Sequence, residues 1–208
     1  MNMTNVTAIR IFQQAHLLFM QYGLKSVSMD DIANKMGISK KTIYQFYADK
    51  EALVAEVVKQ ITSENQFQCD NDIINSENAI HEIILAMEQM SKLFETMNPS
   101  ILFDLHKYYP QAFKLFLAHK NDYVYGKIKQ NINRGIKEGL YRDDLNLEIV
   151  SRYRVESIVI AFNPEFQSSV KSSLVSIAQE LSTFFLYGVV NEKGYKLINK
   201  YSKNRSKK

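Results

Sequence analysis

Apolar residues recur at three- and four-residue intervals along most of this chain, which is the spacing of one helix face. Ile9, Phe12, Ala15, Phe19 and Tyr22 keep it in the first stretch and predict a helix over 5–22, ended by Gly23. Asn98–Pro99 breaks a second periodic run over 78–97, whose inward face would be Ile80, Ile83, Ile84, Met87, Met90 and Phe94. A short helix is expected from 99 to 108, with Leu102, Phe103, Leu105 and His106. Pro110 suits the start of a long one over 110–138, with Gly139 as its stop. The segment GLYRDDLN reads as a turn. Another helix runs over 147–162 and stops at Asn163–Pro164. The last, over 168–190, carries Leu174, Ile177, Ala178, Leu181, Phe184, Phe185 and Gly188 on helical spacing.

Between the first helix and residue 53 the polar positions are as informative as the apolar ones. The stretch reads SMDDIANKMGISKKTIYQFYADKEAL. Ser28 is a strong helix-start residue, and Asp31 stands where a capping box places an acid. Ile32, Ala33 and Met36 make a short apolar stripe. Gly37 follows, the residue that enters a left-handed turn without steric cost. Ser39 can cap the next helix, whose Ile43 points inward together with Ile38. Asp49 can cap a helix over 50–66. Two short helices joined by a tight Gly turn make a helix-turn-helix, and its second helix can enter a major groove. The polar run QCDNDIINSEN after residue 66 is the best linker candidate.

Composition narrows the field. The chain has 208 residues, three Pro, seven Gly and a single Cys, with 46% hydrophobic residues. That favours an all-helical protein with a sizeable core and no disulfide framework. The start lacks the apolar core of a signal peptide, and no apolar run is long enough to span a membrane, so a cytoplasmic protein is expected. Charge is uneven. Residues 1–56 hold six basic and five acidic residues, 57–192 hold thirteen and seventeen, and 193–208 hold seven basic and no acidic ones. Within 32–48 there is no acid, while Lys35, Lys40 and Lys41 cluster there. Local charge, rather than the net +4, supports binding to double-stranded DNA. On this reading Lys40 and Lys50 meet phosphate, helped by Ser28, Ser39 and Tyr44. Thr42 and Gln45 are the base readers, and Lys41 could do either.

Other chemistry is absent from the pattern. The four histidines are scattered, and no phosphate-cradling Gly loop or paired Cys/His spacing occurs, so no catalytic residue, metal or cofactor is expected. Cys69 lies beside Asp70 and Asp72, which disfavour its thiolate. The basic end, 193–208, could add DNA affinity, but such tails are more often disordered.

At these residues the chain resembles the TetR family of bacterial transcriptional regulators. The likeness runs from Ile11 to about Val57 and includes Ile11, Ala15, Phe19 and Gly23 ahead of the motif. It continues through Met29, Ile32, Ala33, Gly37, Ser39, Tyr44, Lys50 and Leu53. Lys41 departs from it, standing where many members carry Gly. So does Tyr47, standing where a buried Phe is usual and expected to fill that core site with its hydroxyl at the edge.

The resemblance implies an all-α protein of about nine helices. A three-helix DNA-binding domain would occupy 1–50, a helical effector-binding and dimerisation domain 51–192, and a basic tail 193–208. It implies a homodimer on a pseudo-palindromic operator, and repression relieved by a small hydrophobic or aromatic effector. Phe103, His106, Tyr109, Phe113 and Tyr153 are the pocket candidates, drawn from an aromatic-rich middle section. Leu174, Ile177, Leu181, Phe184 and Phe185 are the candidates for the dimer interface. Two alternatives remain: a helical DNA-binding protein without an effector, and a helical enzyme or small-molecule or lipid carrier.

Overall fold

The computed structural model describes residues 3–205. Helix α1 (Met3–Tyr22) is followed by α2 (Met29–Met36), α3 (Lys40–Tyr44) and the long α4 (Lys50–Asn75). Then come α5 (Ala79–Thr96), α6 (Ile101–Tyr108) and α7 (Pro110–Ala118). A π-helical turn, His119–Val124, joins α7 directly to α8 (Tyr125–Lys137). Helix α9 (Leu147–Val159) ends in a 3-10 turn, and α10 (Pro164–Val170), α11 (Leu174–Val189) and α12 (Glu192–Arg205) complete the chain.

The starts follow local chemistry, at Asp49 and Pro110 as read from the sequence. Asp49, Asn78 and Asn146 each accept a backbone N–H of the turn they open, at α4, α5 and α9. Pro110 sits in the first turn of α7. Such caps satisfy donors that a helix cannot satisfy itself.

The interior has three apolar centres. The first joins α1 to α4 through Ile11, Ala15, Phe19, Ile32, Ile43, Leu53 and Val54, and it also takes in Leu105, Tyr109 and Ala112 from α6 and α7. The second gathers Ile80, Ile132, Phe185 and Ile198 from α5, α8, α11 and α12, with Tyr141 from the α8–α9 connection. The third holds Phe94, Phe162, Leu174 and Ile177, with the Phe94 and Phe162 rings edge to face at 5.1 Å. On α11, Ser182 lies within a turn of both Ala178 of the third centre and Phe185 of the second. It accepts a 2.8 Å bond from the buried Arg154 guanidinium, which also lies over the Phe185 ring. Burial holds Arg154 down to about 10, and among the described residues it has no carboxylate partner.

Several boundaries differ from the sequence expectation. The polar run 68–75 is not a linker but the last two turns of α4. There Asp70 pairs with Lys127 at 2.7 Å and accepts from the Tyr123 hydroxyl, contacts from outside the segment that outweigh its weak helix propensity. Cys69 lies on this turn, its thiol pushed up to about 11 by burial and by Asp72 and Asp70. The single helix expected over 168–190 is split at Lys171, which takes a left-handed conformation with φ 49°. The tail expected to be disordered is helical to Arg205. Ile198 is buried in the second centre, and the Tyr201 ring stacks on His81 at 5.3 Å. Ile9 and Tyr22, expected inside α1, are exposed, while Ile11 and Leu18 take the inward side.

The turn after α1 is where the N-terminal helices meet the rest. The Asn98 N–H donates to the Met20 carbonyl (2.6 Å), and the Lys25 N–H to the Asp104 carboxylate (2.9 Å). Leu24's carbonyl accepts from both the Tyr109 hydroxyl (3.3 Å) and the Lys50 ammonium (2.5 Å). Gly23 sits inside this joint at φ +87°, and a Cβ there would stand 2.8 Å from the Ser100 hydroxyl oxygen. Gly23→Ala therefore adds a clash to an unfavourable backbone. It should cost about 1–3 kcal/mol in urea unfolding. Gly126→Ala, in open space on α8, should be neutral or stabilising by up to about 1 kcal/mol.

Candidate nucleic-acid interface and ligand cleft

The helix-turn-helix is held by bonds that close within four residues. Ser28 Oγ accepts the Asp31 N–H at 3.1 Å, and Asp31 returns the contact by accepting the Ser28 N–H at 2.7 Å. The Ser28 hydroxyl and N–H hold the Asp31 carboxyl below its ordinary value. Gly37 takes the left-handed conformation, φ 66° and ψ 31°, and Ile38 N–H reaches back to the Ala33 carbonyl at 3.1 Å. This is the glycine-terminated helix end that a bulkier residue would strain. Ser39 Oγ accepts the Thr42 N–H at 3.1 Å and starts α3.

Ile43 is fully buried and fixes the rotation of α3. The opposite side then presents Lys41, Tyr44 and Gln45, with Ser28 and Ser39 exposed beside them. Thr42 is half-buried, its hydroxyl 2.8 Å from that of Ser39. Lys40 reaches Asp30 at 2.7 Å, and this bond holds its ammonium above the usual value. Both partners are well exposed, so the pair is weak and open to exchange with another anion. Phe46 and Tyr47 pack on the first apolar centre, and the Tyr47 hydroxyl donates to the Ala8 carbonyl at 3.3 Å, as expected of an edge tyrosine.

Lys50 is the exception among the expected phosphate partners. Its ammonium points back into the joint, bonded to Leu24 and lying over the Phe19 and Tyr109 rings. Burial pulls its pKa down. The side chain closes the N-terminal core rather than facing outward with Lys40 and Lys41.

A cleft of about 250 Å³ opens between α6, α7 and the end of α9. Phe103 and His106 come to it from α6, and Phe113 from α7, its ring 4.6 Å from that of His106. Two expected pocket residues are elsewhere. Tyr109 is buried in the joint, and Tyr153 is 48% exposed on the outer side of α9. Phe116, part of the aromatic-rich section but outside the five candidates, lines the cleft with Phe113, as do Leu117 and Lys120, which the sequence did not point to. Their spacing of three, four and seven residues from Phe113 was the available signal. Also outside the five candidates are Leu102 on α6 and, facing them, Val159, Phe162, Asn163 and Pro164. Of the facing residues, Phe162 belongs to the aromatic-rich set, and the others read only as a helix end.

The expected interface residues also divide. Leu174, Ile177 and Phe185 are buried within their own chain, so they are corrected from contact surface to core. Leu181 is half-buried against the third centre, and Phe184 stands out at 67% exposure. Near it on α11 is Tyr187, while Ile149 and Tyr153 on α9 and Ile160 just past its end form an exposed row.

Residues 11–57 match the family model described as bacterial regulatory proteins, tetR family. YvaF of Bacillus subtilis, described as an uncharacterized HTH-type transcriptional regulator, is 29% identical over 150 residues. These cover 66% of this chain and 78% of YvaF. The solved structure of a TetR-family transcriptional regulator from Agrobacterium tumefaciens has a TM-score of 0.76 at 16% identity. The match covers 90% of this chain and 100% of that one. A protein from Saccharomonospora viridis, solved in complex with choline, gives 0.72 at 17% identity with the same coverage.

The capping box gives a direct test of what holds the motif. Ser28→Ala should cost about 1 kcal/mol in urea unfolding, the typical loss of a serine N-cap. Asp30→Ala removes only the exposed pair with Lys40 and should leave the unfolding midpoint unchanged.

Proposed function

The chain is a member of the TetR family of bacterial transcriptional regulators, and from that premise we propose that it is a cytoplasmic repressor, not an enzyme, released from its operator by a small molecule in the α6–α7 cleft. The observation that carries the DNA half is the outward side of α3. Cationic and hydrogen-bonding side chains stand there, on a helix whose rotation Ile43 fixes. Lys40 and Lys41 meet phosphate, with Ser28, Ser39 and Tyr44 adding neutral hydrogen bonds. Gln45 reads bases, and Thr42 supplies a methyl to thymine. Lys50 acts by positioning, through the joint it closes.

The effector half rests on where the cleft lies. Leu102, Phe103 and His106 reach it from the same short helix that carries Asp104 and Leu105 into the joint. A molecule that displaces α6 therefore displaces the seat of the turn after α1, and with it the angle of the N-terminal helices. The operator affinity lost equals the effector's preference for the displaced state. The bound choline in the Saccharomonospora viridis structure supports small-molecule binding by this fold.

Assembly is a two-fold dimer through the exposed row on α9 and α11. Ile149 and Tyr153 lie on one face of α9, with Ile160 in the turn that follows it, and Phe184 and Tyr187 on one face of α11. Such residues on neighbouring helices make a patch that a monomer rarely leaves to water.

Selection from random DNA tests the α3 assignments. The parent should enrich a pseudo-palindrome, and Gln45→Ala should relax discrimination by about 1–3 kcal/mol at one or two base pairs in each half-site. Lys40→Ala and Lys41→Ala should weaken all sequences alike and shallow the salt slope by about one unit each. Lys50→Ala should lower the unfolding midpoint and leave that slope unchanged. Base preference altered by Lys40→Ala and not by Gln45→Ala would reverse the assignment.

Sedimentation tests the dimer. Phe184→Glu should give a folded monomer at micromolar protein, because the ring touches little of its own chain. Phe185→Ala should instead cost about 3–5 kcal/mol in urea unfolding, because it leaves a cavity in the second centre. A Phe184→Glu protein that stays dimeric would move the interface off α11.

A further inference from the structure

We propose that the cleft is built for an organic anion, with Lys120 as the counter-charge of its acidic group; this rests on the reading of the cleft as the effector site. The walls are apolar and aromatic, and among the lining residues no acid occurs. Three polar side chains reach it: Lys120, His106 and Asn163. All three offer donors. Lys120 donates only, and His106 donates through at least one ring nitrogen in either tautomer. Asn163 uses its side-chain oxygen to accept the Phe166 N–H at 2.9 Å, which leaves its amide N–H groups for the cleft. A bound molecule therefore meets donors and one fixed positive charge, with no acidic acceptor on the walls.

The way Lys120 is held points the same way. It sits in the π-helical turn, in line with Phe113, Phe116 and Leu117 on the cleft side, and only 13% of its side chain is exposed. Its ammonium is 2.6 Å from a Glu156 carboxylate oxygen, but Glu156 stands on α9 with 61% of its side chain in water. The cation is shielded and its partner is not. Releasing Glu156 to solvent costs little, because the carboxylate regains full hydration. A carboxylate, sulfonate or phosphate carried in on an apolar body can take its place, in a site where water competes less. Glu156 then serves as a resident stand-in for the acidic group of the ligand.

The test uses two fluorescent probes on one aromatic frame, anilinonaphthalene sulfonate and its uncharged parent phenylnaphthylamine, titrated into the full-length protein. The parent protein should bind the sulfonate about tenfold more tightly than the neutral probe, as a charge-assisted hydrogen bond predicts. Lys120→Gln should erase the preference, lowering sulfonate affinity about tenfold toward that of the neutral probe. Glu156→Gln, on the exposed rim where folding is not at risk, should strengthen sulfonate binding alone. Leu117→Trp should fill the cleft and abolish both, which locates the probes. Equal affinity for the two probes, both lost in Leu117→Trp, would overturn the anion proposal and leave the effector site standing. A sulfonate preference that survives Lys120→Gln, or is unmoved by Glu156→Gln, would overturn the role of Lys120. Binding of neither probe, or binding indifferent to Leu117→Trp, would remove the effector site and this proposal together.

Discussion

The geometry of the molecule depends on how the end of α1 and the turn after it, from Met20 to Lys25, are seated. Their carbonyls and N–H groups would otherwise have no helix to satisfy them. Asn98, Asp104, Tyr109 and Lys50 satisfy them instead, from the α5–α6 connection, α6, α6–α7 and α4. Glu51 adds an accepting contact to the Gln111 N–H at 3.3 Å. These bonds, with Leu105, Tyr109 and Ala112 in the first apolar centre, make the N-terminal helices and the body one continuous core. A hinge between them is therefore not a free linker. It is a packed joint, held from α4, the α5–α6 connection, α6 and the start of α7.

That constraint explains why two lysines of similar sequence context differ. Lys40 begins a short helix beside Asp30 on an open surface, and its charge is paired but solvated. Lys50 begins α4 against the joint, and its ammonium replaces water with one carbonyl and two ring faces. The depressed pKa is the electrostatic cost of that position. Arg154 presents the same trade in the body. Its guanidinium is held by Ser182 and Ser157 hydroxyls at 2.8 and 3.5 Å rather than by a carboxylate. Directional bonds of this kind fix how α9 lies on α11, where apolar contacts alone would tolerate a rotation.

Much of the N-terminal motif was legible in the sequence because its bonds are local. Ser28 with Asp31, Gly37, and Ser39 with Thr42 each satisfy backbone groups within four residues, so residue type and spacing are enough to place them. The same holds for Asp49 and Pro110 at later helix starts. The all-helical class follows from apolar spacing for a related reason: one face of each helix must be hidden, and the period of that face is fixed by the backbone.

What the sequence could not decide is which neighbour hides each face. Helix α11 is apolar on more than one side, and only packing against α5 and α9 assigns Leu174, Ile177 and Phe185 to its own core and Phe184 to the outside. Tyr109, just before α7, and Phe113, in its first turns, are four residues apart, yet one seals the joint and the other lines the cleft. Residues 68–75 and 192–205 are too polar to predict as packed helices. They become so because Tyr123 and Lys127 hold Asp70, and because α5 and α11 leave an apolar site for Ile198. The sequence determined the elements whose free energy is local, and the tertiary structure decided every position whose partner lies far along the chain.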